Sequence, residues 1–332
     1  MAENETVKGI LARGKITADD VLQLRHSVFW KGVVTPDDAE MAFELNDRLE
    51  NNADPSWMPF FVEALTDYIV NQAEPRGYIS VENADWLIAH IARSSGRVDS
   101  ACEFELLVKT LERAKLSPVK LVTFALEQVK WGVIGADCYI GASRSCEPGI
   151  VDHAETELVR RILFAFGGDG NIAVTRQEAG VLFDINDATS ETKNDPAWSD
   201  LFVKALANFL MSTLGYQVPT RQEALRREAW LDAPTPGLGD FMSQMLAGSL
   251  NAMWDACTNG TLDGEPRHSN ASSGLTIGTE PRANAEDARW LAERMRRDHK
   301  LRNNEAALIN FLKSKQAYLL PQLTPVLDCV AA

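Results

Sequence analysis

The sequence lacks the features of a secreted or membrane-spanning protein. Its N-terminal stretch, MAENETVKGILARGK, has no apolar core of the kind found in signal peptides, and no apolar run approaches the ~20 residues that a spanning helix needs. The five cysteines form no CxxC pair, which favours reduced thiols. These absences predict a cytoplasmic protein. Cys138 and Cys146 share one predicted loop and are the pair that could form a disulfide or bind a metal.

Positive charge is also scarce. The chain has 33 Lys and Arg residues against 47 Asp and Glu residues, which gives a formal net charge of −14. A general nucleic-acid binder needs a basic face that displaces phosphate counterions, so neither a nucleic-acid partner nor an anionic membrane is expected. Residues 281–302 are a basic exception, with seven Lys and Arg against four Asp and Glu. On an acidic protein this segment favours self-association or an inter-lobe surface.

Motifs of common enzyme classes are missing. The histidines show no HxxxH or HExxH spacing, which a zinc hydrolase would require. GxSxG, the P-loop and a GxGxxG that follows a strand are absent as well. The sequence therefore predicts a protein that is not an enzyme, although a site assembled from scattered acids would leave no motif.

The chain does contain a repeated helix-start signal: Gly, any residue, Ile or Val, and then an N-cap residue. The caps predicted in this way are Thr17, Thr35, Ser80, Asp99 and Asp152. Glycine accepts the left-handed conformation that ends one helix, and the cap oxygen binds free N–H groups of the next helix. An acid three residues later completes a capping box at Thr17/Asp20, Thr35/Asp38, Asp152/Glu155 and Thr175/Glu178. The apolar spacing between the caps is helical, so the predicted fold is all-α, with helix–tight turn–helix repeats.

Two segments of the chain resemble each other closely enough to predict an internal duplication. TPDDAEMAFELND (35–47) matches TRQEAGVLFDIND (175–187) at 5 of 13 positions, and DPSWMPFFVEAL (54–65) matches DPAWSDLFVKAL (195–206) at 7 of 12. The offsets are 140 and 141 residues. SVENADWLIAHIAR, at 80–93, resembles NAEDARWLAERMRR with an offset of 204. Each Asp-Pro-x-Trp is interpreted as an N-cap, a first helical residue and a buried anchor.

This duplication predicts two homologous helical-bundle lobes. The first lobe is assigned to residues 10–134, a linker to 135–148, and the second lobe to 149–332, with an insertion at 232–283. Within the insertion, residues 241–256 place five apolar residues on one helical face: Met242, Met245, Leu246, Leu250 and Met253. This helix is interpreted either as packing on its own lobe or as a regulatory or partner-binding flap.

The strongest duplicated polar feature is a pair of acids on each matched helix. The four acids are Glu44, Asp47, Asp184 and Asp187. Residues three apart share one helix face, so each pair could supply two oxygens to a divalent cation or a polar patch to a partner. The alternative is that Asn46 and Asn186 end their helices and that the acids are simply solvated.

The Gly-x-Ile turns resemble the second half of an EF-hand calcium loop. Asp20, Asp38 and Glu155 stand where that loop has its final acid, but the first half of each loop lacks the oxygen ligands that calcium needs. GGDGNI (167–172) has the most suitable oxygens, yet Arg176 stands in place of the last acid. Capping boxes therefore explain these turns better than EF-hand sites do.

The stretch WLIAHIARSSGRVDSACEFELLVKTLERAKLSP (86–118) resembles the repeating unit of the tellurite-resistance TerB-like family. That family is all-helical and cytoplasmic, and some members are proposed to hold divalent cations on acidic residues in stress-response assemblies. The resemblance implies a cation role for Asp169, which precedes the turn glycine Gly170. Ser95 replaces the corresponding acid in the first lobe.

Taken together, the sequence predicts a non-enzymatic cytoplasmic interaction or scaffold protein. It would act on a protein partner, or on a second copy of itself, through an inter-lobe groove or the insertion at 232–283. The alternative is a divalent-cation-binding stress-response protein of TerB-like type. Its candidate metal ligands are Glu44, Asp47, Asp169, Asp184 and Asp187.

Overall fold

The computed structural model describes residues 2–28, 34–92, 96–135, 148–165, 173–213, 281–295, 297 and 301–314. In these segments the chain forms twelve α-helices and no β-strand, so the predicted all-α class is confirmed. In the same segments, Ile16 and Ala53 form an isolated parallel β-bridge. None of the described helices is long and apolar enough to cross a membrane.

The helices follow one another along the chain with short connections. They are α1 (Ala2–Arg13), α2 (Ala18–Val28), α3 (Pro36–Leu49), α4 (Trp57–Asp67), α5 (Val81–Ile91), α6 (Ala101–Arg113), α7 (Val119–Ile134), α8 (His153–Leu163), α9 (Arg176–Thr189), α10 (Pro196–Thr213), α11 (Pro281–Met295) and α12 (Asn303–Ser314). A 3₁₀ turn, Glu50–Asn52, follows α3, and a π-helical turn, Tyr68–Gln72, follows α4.

The described residues divide into two compact units. The first unit holds the residues up to Ala165 together with 191–194, and the second unit holds the remainder. Within the first unit, α8 packs against α6 and α7. This unit therefore extends past residue 149, where the sequence repeat places the start of the second lobe. The predicted lobe boundary concerns the sequence repeat from which each helix derives. It stays a prediction, since a helix can derive from one repeat and pack with the other.

The predicted capping boxes are confirmed at four helix starts. At α3, the Thr35 hydroxyl accepts the N–H of Asp38 and the Asp38 carboxylate accepts the N–H of Thr35; α8 and α9 begin in the same way. The Thr17 N–H donates to Asp20 Oδ2 across 2.9 Å ahead of α2. These reciprocal bonds satisfy N–H groups that would otherwise lack acceptors at each N-terminus.

Two predicted helix starts are wrong by a small shift. The cap of α6 is Ser100 rather than Asp99, because the helix begins one residue later and the Ser100 hydroxyl accepts the N–H of Glu103. Asp54 does not cap α4, which begins at Trp57; its carboxylate accepts the N–H of Ser56 in the preceding turn. In the second unit, the corresponding helix α10 does begin at the proline, as predicted.

The aliphatic residues of the glycine turns make a contact that the sequence did not suggest. In four turns, a side-chain amide oxygen from a distant part of the same unit accepts the backbone N–H of the aliphatic residue. The pairs are Val34 with Gln72 (2.7 Å), Val98 with Gln128 (2.9 Å), Val151 with Asn194 (2.8 Å) and Val174 with Asn208 (2.8 Å). Since a buried N–H without an acceptor is costly, these amides fix each turn against the helices around it.

Each unit is built around an aromatic cluster. In the first unit, the ring of Phe43 lies 5.5 Å from that of Phe61 and 5.8 Å from that of Trp86, and Tyr68 lies 5.7 Å from Trp86. Edge-to-face contacts of this kind stabilise the packing beyond the area that they bury. The cluster thereby joins α3, α4, α5 and the π-helical turn.

The second unit has the same arrangement at the matched sequence positions. Phe183 lies 5.3 Å from Phe202 and 6.3 Å from Trp290, and Phe209 lies 5.7 Å from Trp290, measured between ring centroids. Four aromatic residues thus recur at the sequence offsets and with the same pairwise contacts. This correspondence supports the predicted duplication, which itself stays a prediction.

Candidate functional site

The predicted acid pair of the second unit lies among arginines. Arg294 of α11 forms ion pairs with both Asp184 and Asp187 of α9, the second with Nη2 and Oδ2 3.3 Å apart. Arg302, which immediately precedes α12, brings its Nη1 to 2.9 Å from Asp187 Oδ1. The Arg294 side chain is 9% exposed, whereas the side chains of Asp184 and Asp187 are 41% and 22% exposed, so the arginine is buried and its acids stay partly open to solvent. The two aspartates therefore tie α9 to α11 and α12.

The paired arginines oppose cation binding at the acids of the second unit. A divalent ion at Asp184 and Asp187 would have to displace Arg294, whose guanidinium also lies 5.7 Å from the centroid of the Phe183 ring. A cation over an aromatic face is stabilised by the ring quadrupole, which adds to the ion pairs. In the part of the chain that the structure describes, no group of three or more His, Cys, Asp or Glu side chains is placed to bind a metal ion.

The matched acids of the first unit have different surroundings. Glu44 and Asp47 are exposed on α3, and Glu44 forms an ion pair of 3.0 Å with Arg48 one turn later. His90 stands at the position that matches Arg294 under the offset of 204 residues, so the first unit lacks that arginine. The structure therefore brings each acid pair onto one helix face, as predicted; the first pair is exposed, whereas the second pair is only partly exposed and is engaged by arginines.

Asn46 and Asn186 are not helix terminators, so that part of the alternative interpretation is wrong, whereas its solvated acids fit Glu44 and Asp47, which are exposed. Helix α3 continues to Leu49 and α9 to Thr189, and both asparagines are buried. The Asn46 amide donates to Ser100 Oγ (3.0 Å) and to Glu103 Oε1 (3.3 Å), which joins α3 to the start of α6. The physical reason is that an asparagine on the core side of a helix satisfies its amide through tertiary contacts.

Several predicted features lie outside the described residues. They include Asp169 with the GGDGNI segment, the glycine turn at Gly32, the cysteines Cys138 and Cys146, and residues 232–280 of the insertion. The described cysteine, Cys102, is a free and buried thiol. Burial, followed by the nearby Glu50 carboxylate, raises the pKa of the Cys102 thiol and keeps it protonated.

A groove of about 700 Å³ lies between α4 and α6 in the first unit. Its lining follows the helical repeat. The floor is a row on α4 formed by Met58, Val62 and Thr66, of which Val62 and Thr66 are buried. One wall is the adjoining row of α4 and the turn after it (Pro59, Glu63, Asp67, Asn71), and the other is a row on α6 (Glu105, Lys109, Arg113).

Helices α4 and α6 run side by side in the same direction along this groove. Both begin beside Asn46, which accepts the indole N–H of Trp57 and donates to Ser100. Both end at one loop, where the N–H of Gly77 donates to the Val70 carbonyl (2.6 Å) after α4. The N–H of Ile79 in that loop donates to the Leu116 carbonyl (3.0 Å) after α6. The groove therefore runs along two parallel helices.

The charges on the walls are partly paired with groups outside the groove. Glu63 forms an exposed ion pair of 2.8 Å with Arg25 of α2, and Glu105 lies 3.5 Å from Arg161 of α8. Lys109 Nζ lies 2.7 Å from Glu112 Oε2 on α6. Sequence reasoning missed this groove because no motif marks it. The signal present was the spacing of Met58, Val62 and Thr66 beside acids, but only the packing of α4 on α6 opens a channel there.

Two carboxyl groups with strongly shifted ionisation lie at helix starts rather than in the groove. Burial raises the pKa of Glu155 to about 7, with a further contribution from Asp152, and burial raises the pKa of Glu178 to about 7. Each carboxylate accepts the N–H of its cap residue across 2.8 Å, from Asp152 and from Thr175 respectively. Burial thus outweighs the cap N–H bonds, which by themselves lower both pKa values.

Among the described residues, the groove and the acid pairs are the candidate places for binding another molecule. The acids of the second unit are engaged by arginines, whereas the groove of the first unit is open to solvent along an apolar floor. A comparison of the chain with protein-family models, with curated proteins and with solved structures gave no match.

Proposed function

We propose that the protein is a non-enzymatic interaction protein that binds a segment of a partner protein in the groove between α4 and α6. The supporting observation is the open channel of about 700 Å³ whose floor includes Met58 and Val62 and whose walls are charged. Binding sites in proteins typically combine such an apolar floor with a few polar groups that fix orientation. The predicted contribution of the insertion at 232–283 stays a prediction.

The charged network of the second unit supports a scaffolding role rather than a catalytic one. Asp184 and Asp187 hold α9 to α11 and α12 through Arg294 and Arg302. The two glutamates with raised pKa, Glu155 and Glu178, are engaged with cap N–H groups. These acids stabilise the helical framework, and the framework presents the groove.

Affinity capture with matched variants tests this proposal. The floor residue Met58 is half-buried, and Met58→Glu places a charge where an apolar side chain of the partner would pack. We expect the variant to lose at least about 90% of the partner captured from cell extract, which corresponds to about 1.4 kcal/mol of binding free energy. Leu22→Glu is the control, since Leu22 is 55% exposed on α2 and does not line the groove.

The proposal requires that capture of the partner depends on the apolar floor of the groove and not on a charge added elsewhere on the surface. A partner retained equally by Met58→Glu and by Leu22→Glu would show that the groove does not bind it. Circular dichroism on both variants checks that the helices are intact, so that loss of capture reports the groove alone.

Binding of a divalent cation is the second candidate function, and the exposure of Glu44 and Asp47 on α3 favours it in the first unit. Calorimetric titration with Ca²⁺ and Mn²⁺ tests it. We expect Glu44→Ala to abolish the heat of binding and Asp184→Ala to leave it unchanged, because Asp184 is paired with Arg294. A titration without heat, or a signal that neither variant changes, would reject this site.

A further inference from the structure

The groove has the dimensions of one side of a helix. Its floor residues Met58, Val62 and Thr66 are spaced by four along α4, and the wall residues Glu105, Lys109 and Arg113 are spaced by four along α6. Eight residues of helix advance about 12 Å, so each row covers about two turns. A third helix can lay one ridge of side chains between two such rows, which is how helices pack and how helical peptides occupy grooves.

The two walls carry charges of opposite sign at the same end of the groove. Glu63 and Asp67 line the α4 wall, and Lys109 and Arg113 line the α6 wall toward the end of that helix. The acid at the start of the α6 wall, Glu105, is compensated by Arg161 of α8. A helix with acids on both flanks would be repelled by the α4 wall, and one with bases on both flanks would be repelled by the α6 wall.

Most of these wall charges are held by exposed contacts that a partner can replace, although the Asp67 carboxylate already accepts hydrogen bonds from the Asn71 and Gln72 amides. The Arg25–Glu63 pair is exposed, with side chains 45% and 64% accessible, and such pairs contribute little stability. Lys109 pairs with Glu112 of its own helix, and Arg113 is exposed. A partner that excludes water from the groove would strengthen its own charge contacts relative to these solvated ones.

Thr66 closes one end of the floor. Its side chain lines the groove and is 7% exposed, and in the described structure its Oγ1 is already out of contact with solvent and has no hydrogen-bond partner. A partner that covers Thr66 therefore buries no further polar atom, and the whole floor accepts an apolar face.

We infer that the occupant of the groove is an amphipathic α-helix of a partner protein, with basic residues on one flank and acidic residues on the other. Its flanks face Glu63 with Asp67 and Lys109 with Arg113. This inference rests on the proposed function and names the chemistry of the partner. Opposite charges on the two walls also fix the direction in which the helix lies, because turning it round exchanges its flanks.

A display library of amphipathic helices tests the inference with the full-length protein as bait. The helices are about 18 residues long, or about five turns, with a fixed Leu face and Lys or Glu at every flank position. We expect helices with Lys on one flank and Glu on the other to be enriched at least about tenfold over helices with uniform flanks. Equal enrichment of all flank patterns, or no enrichment of any helix, would overturn the inference.

Charge reversal in the groove provides the sharper test. With Glu63→Lys and Asp67→Lys together, both walls are basic and we expect helices with Glu on both flanks. With Lys109→Glu and Arg113→Glu together, we expect Lys on both flanks. The control is Glu82→Lys with Asp85→Lys on α5. These two acids are three residues apart and do not line the groove, so this variant should select the same helices as the unchanged protein.

A further variant separates this inference from the function on which it rests. Met58→Glu should remove binding of every selected helix. If Met58→Glu removes binding while flank charges are random, the groove binds a helix and only the charge pattern is wrong. If selected helices bind equally well to Met58→Glu, the groove is not the binding site and both proposals fail.

Discussion

The indole Nε1 of Trp57 donates a hydrogen bond to Asn46 Oδ1 across 3.0 Å, and both side chains are buried. Through this bond and its own donation to Ser100, Asn46 connects the start of α4 to the start of α6. In the second unit, Asn186 and Trp198 occupy the matched positions, but Asn186 Oδ1 accepts from Asn304 instead, across 2.8 Å. The same two residue types are thus used in two different hydrogen-bond networks.

Replacing Asn46 tests the importance of this connection for the groove. Asn46→Ala leaves the Trp57 indole N–H buried without its acceptor, so we expect the free energy of unfolding to fall by about 2–3 kcal/mol in urea denaturation. Asn71→Ala is the control, because the Asn71 bond to Asp67 is exposed and its loss should change stability by less than about 0.5 kcal/mol. Equal effects of the two changes would show that Asn46 is not a structural connection.

Arg294 should stabilise the second unit more than a surface arginine stabilises the first. Arg294→Ala removes ion pairs to Asp184 and Asp187 from a side chain that is 9% exposed, and we expect a loss of about 1–3 kcal/mol. Arg48→Ala breaks an exposed pair with Glu44 and should cost about 0.5 kcal/mol or less. Chemical denaturation measures both, and added salt should reduce the Arg48 effect more than the Arg294 effect.

Glu178 makes the stability of the second unit depend on pH. Because burial raises the pKa of Glu178 from 4.5 to about 7, the unfolded chain loses this proton at lower pH than the folded protein does. Stability associated with the protonated carboxyl is fully present below about pH 4.5 and is lost as the pH rises through about 7. Glu178→Gln keeps a neutral side chain at all pH values, so we expect it to stabilise the protein at pH 8 by up to about 3 kcal/mol and by much less at pH 5.

Urea denaturation at pH 5 and pH 8 measures this difference. Asp38 is the matching residue of the α3 capping box, but it is exposed. Asp38→Asn is therefore the control and should not gain stability at pH 8. If the difference in free energy of unfolding between Glu178→Gln and the unchanged protein is the same at pH 5 and pH 8, burial of the Glu178 carboxyl is not the cause.

Two glycines near the N-terminus should respond to alanine with opposite signs. Gly14 has φ +69°, a left-handed conformation that costs an alanine about 1–2 kcal/mol, so Gly14→Ala should destabilise the first unit. Gly9 lies inside α1 with open space around its Cα, and Gly9→Ala should stabilise by about 0.5–1 kcal/mol. Thermal melting of the two variants distinguishes the effects, and a shared sign would refute the role given to the Gly14 turn.

Much of the local structure was predictable because its causes lie within a few residues. The capping boxes at Thr17, Thr35, Asp152 and Thr175 were predicted from a cap oxygen and an acid three residues later, and they are confirmed. The start of α6 was predicted one residue early, since both Asp99 and Ser100 can cap a helix. Which of two adjacent caps is used depends on how the following helix packs, and a local pattern does not contain that.

The acid pairs show where sequence reasoning about a site stops. Spacing alone predicted that Asp184 and Asp187 share one helix face and that Glu44 and Asp47 share another. In the structure, both pairs lie within one helix each. The arginine that occupies the second pair lies 110 residues away from Asp184 in the chain. Charge partners at such separations are set by helix packing, so two pairs that are alike in sequence have different chemical surroundings.

By itself, the sequence determined the all-α class, most helix starts and the recurrence of aromatic and acidic residues along the chain, because capping and helical periodicity act over one or two turns. Only the tertiary structure decided that Asn46 joins α3 to α4 and α6, that Arg294 covers the second acid pair, and that α4 and α6 leave a channel between them. Those features depend on which distant helices come into contact, and that is settled by burying many apolar side chains at once.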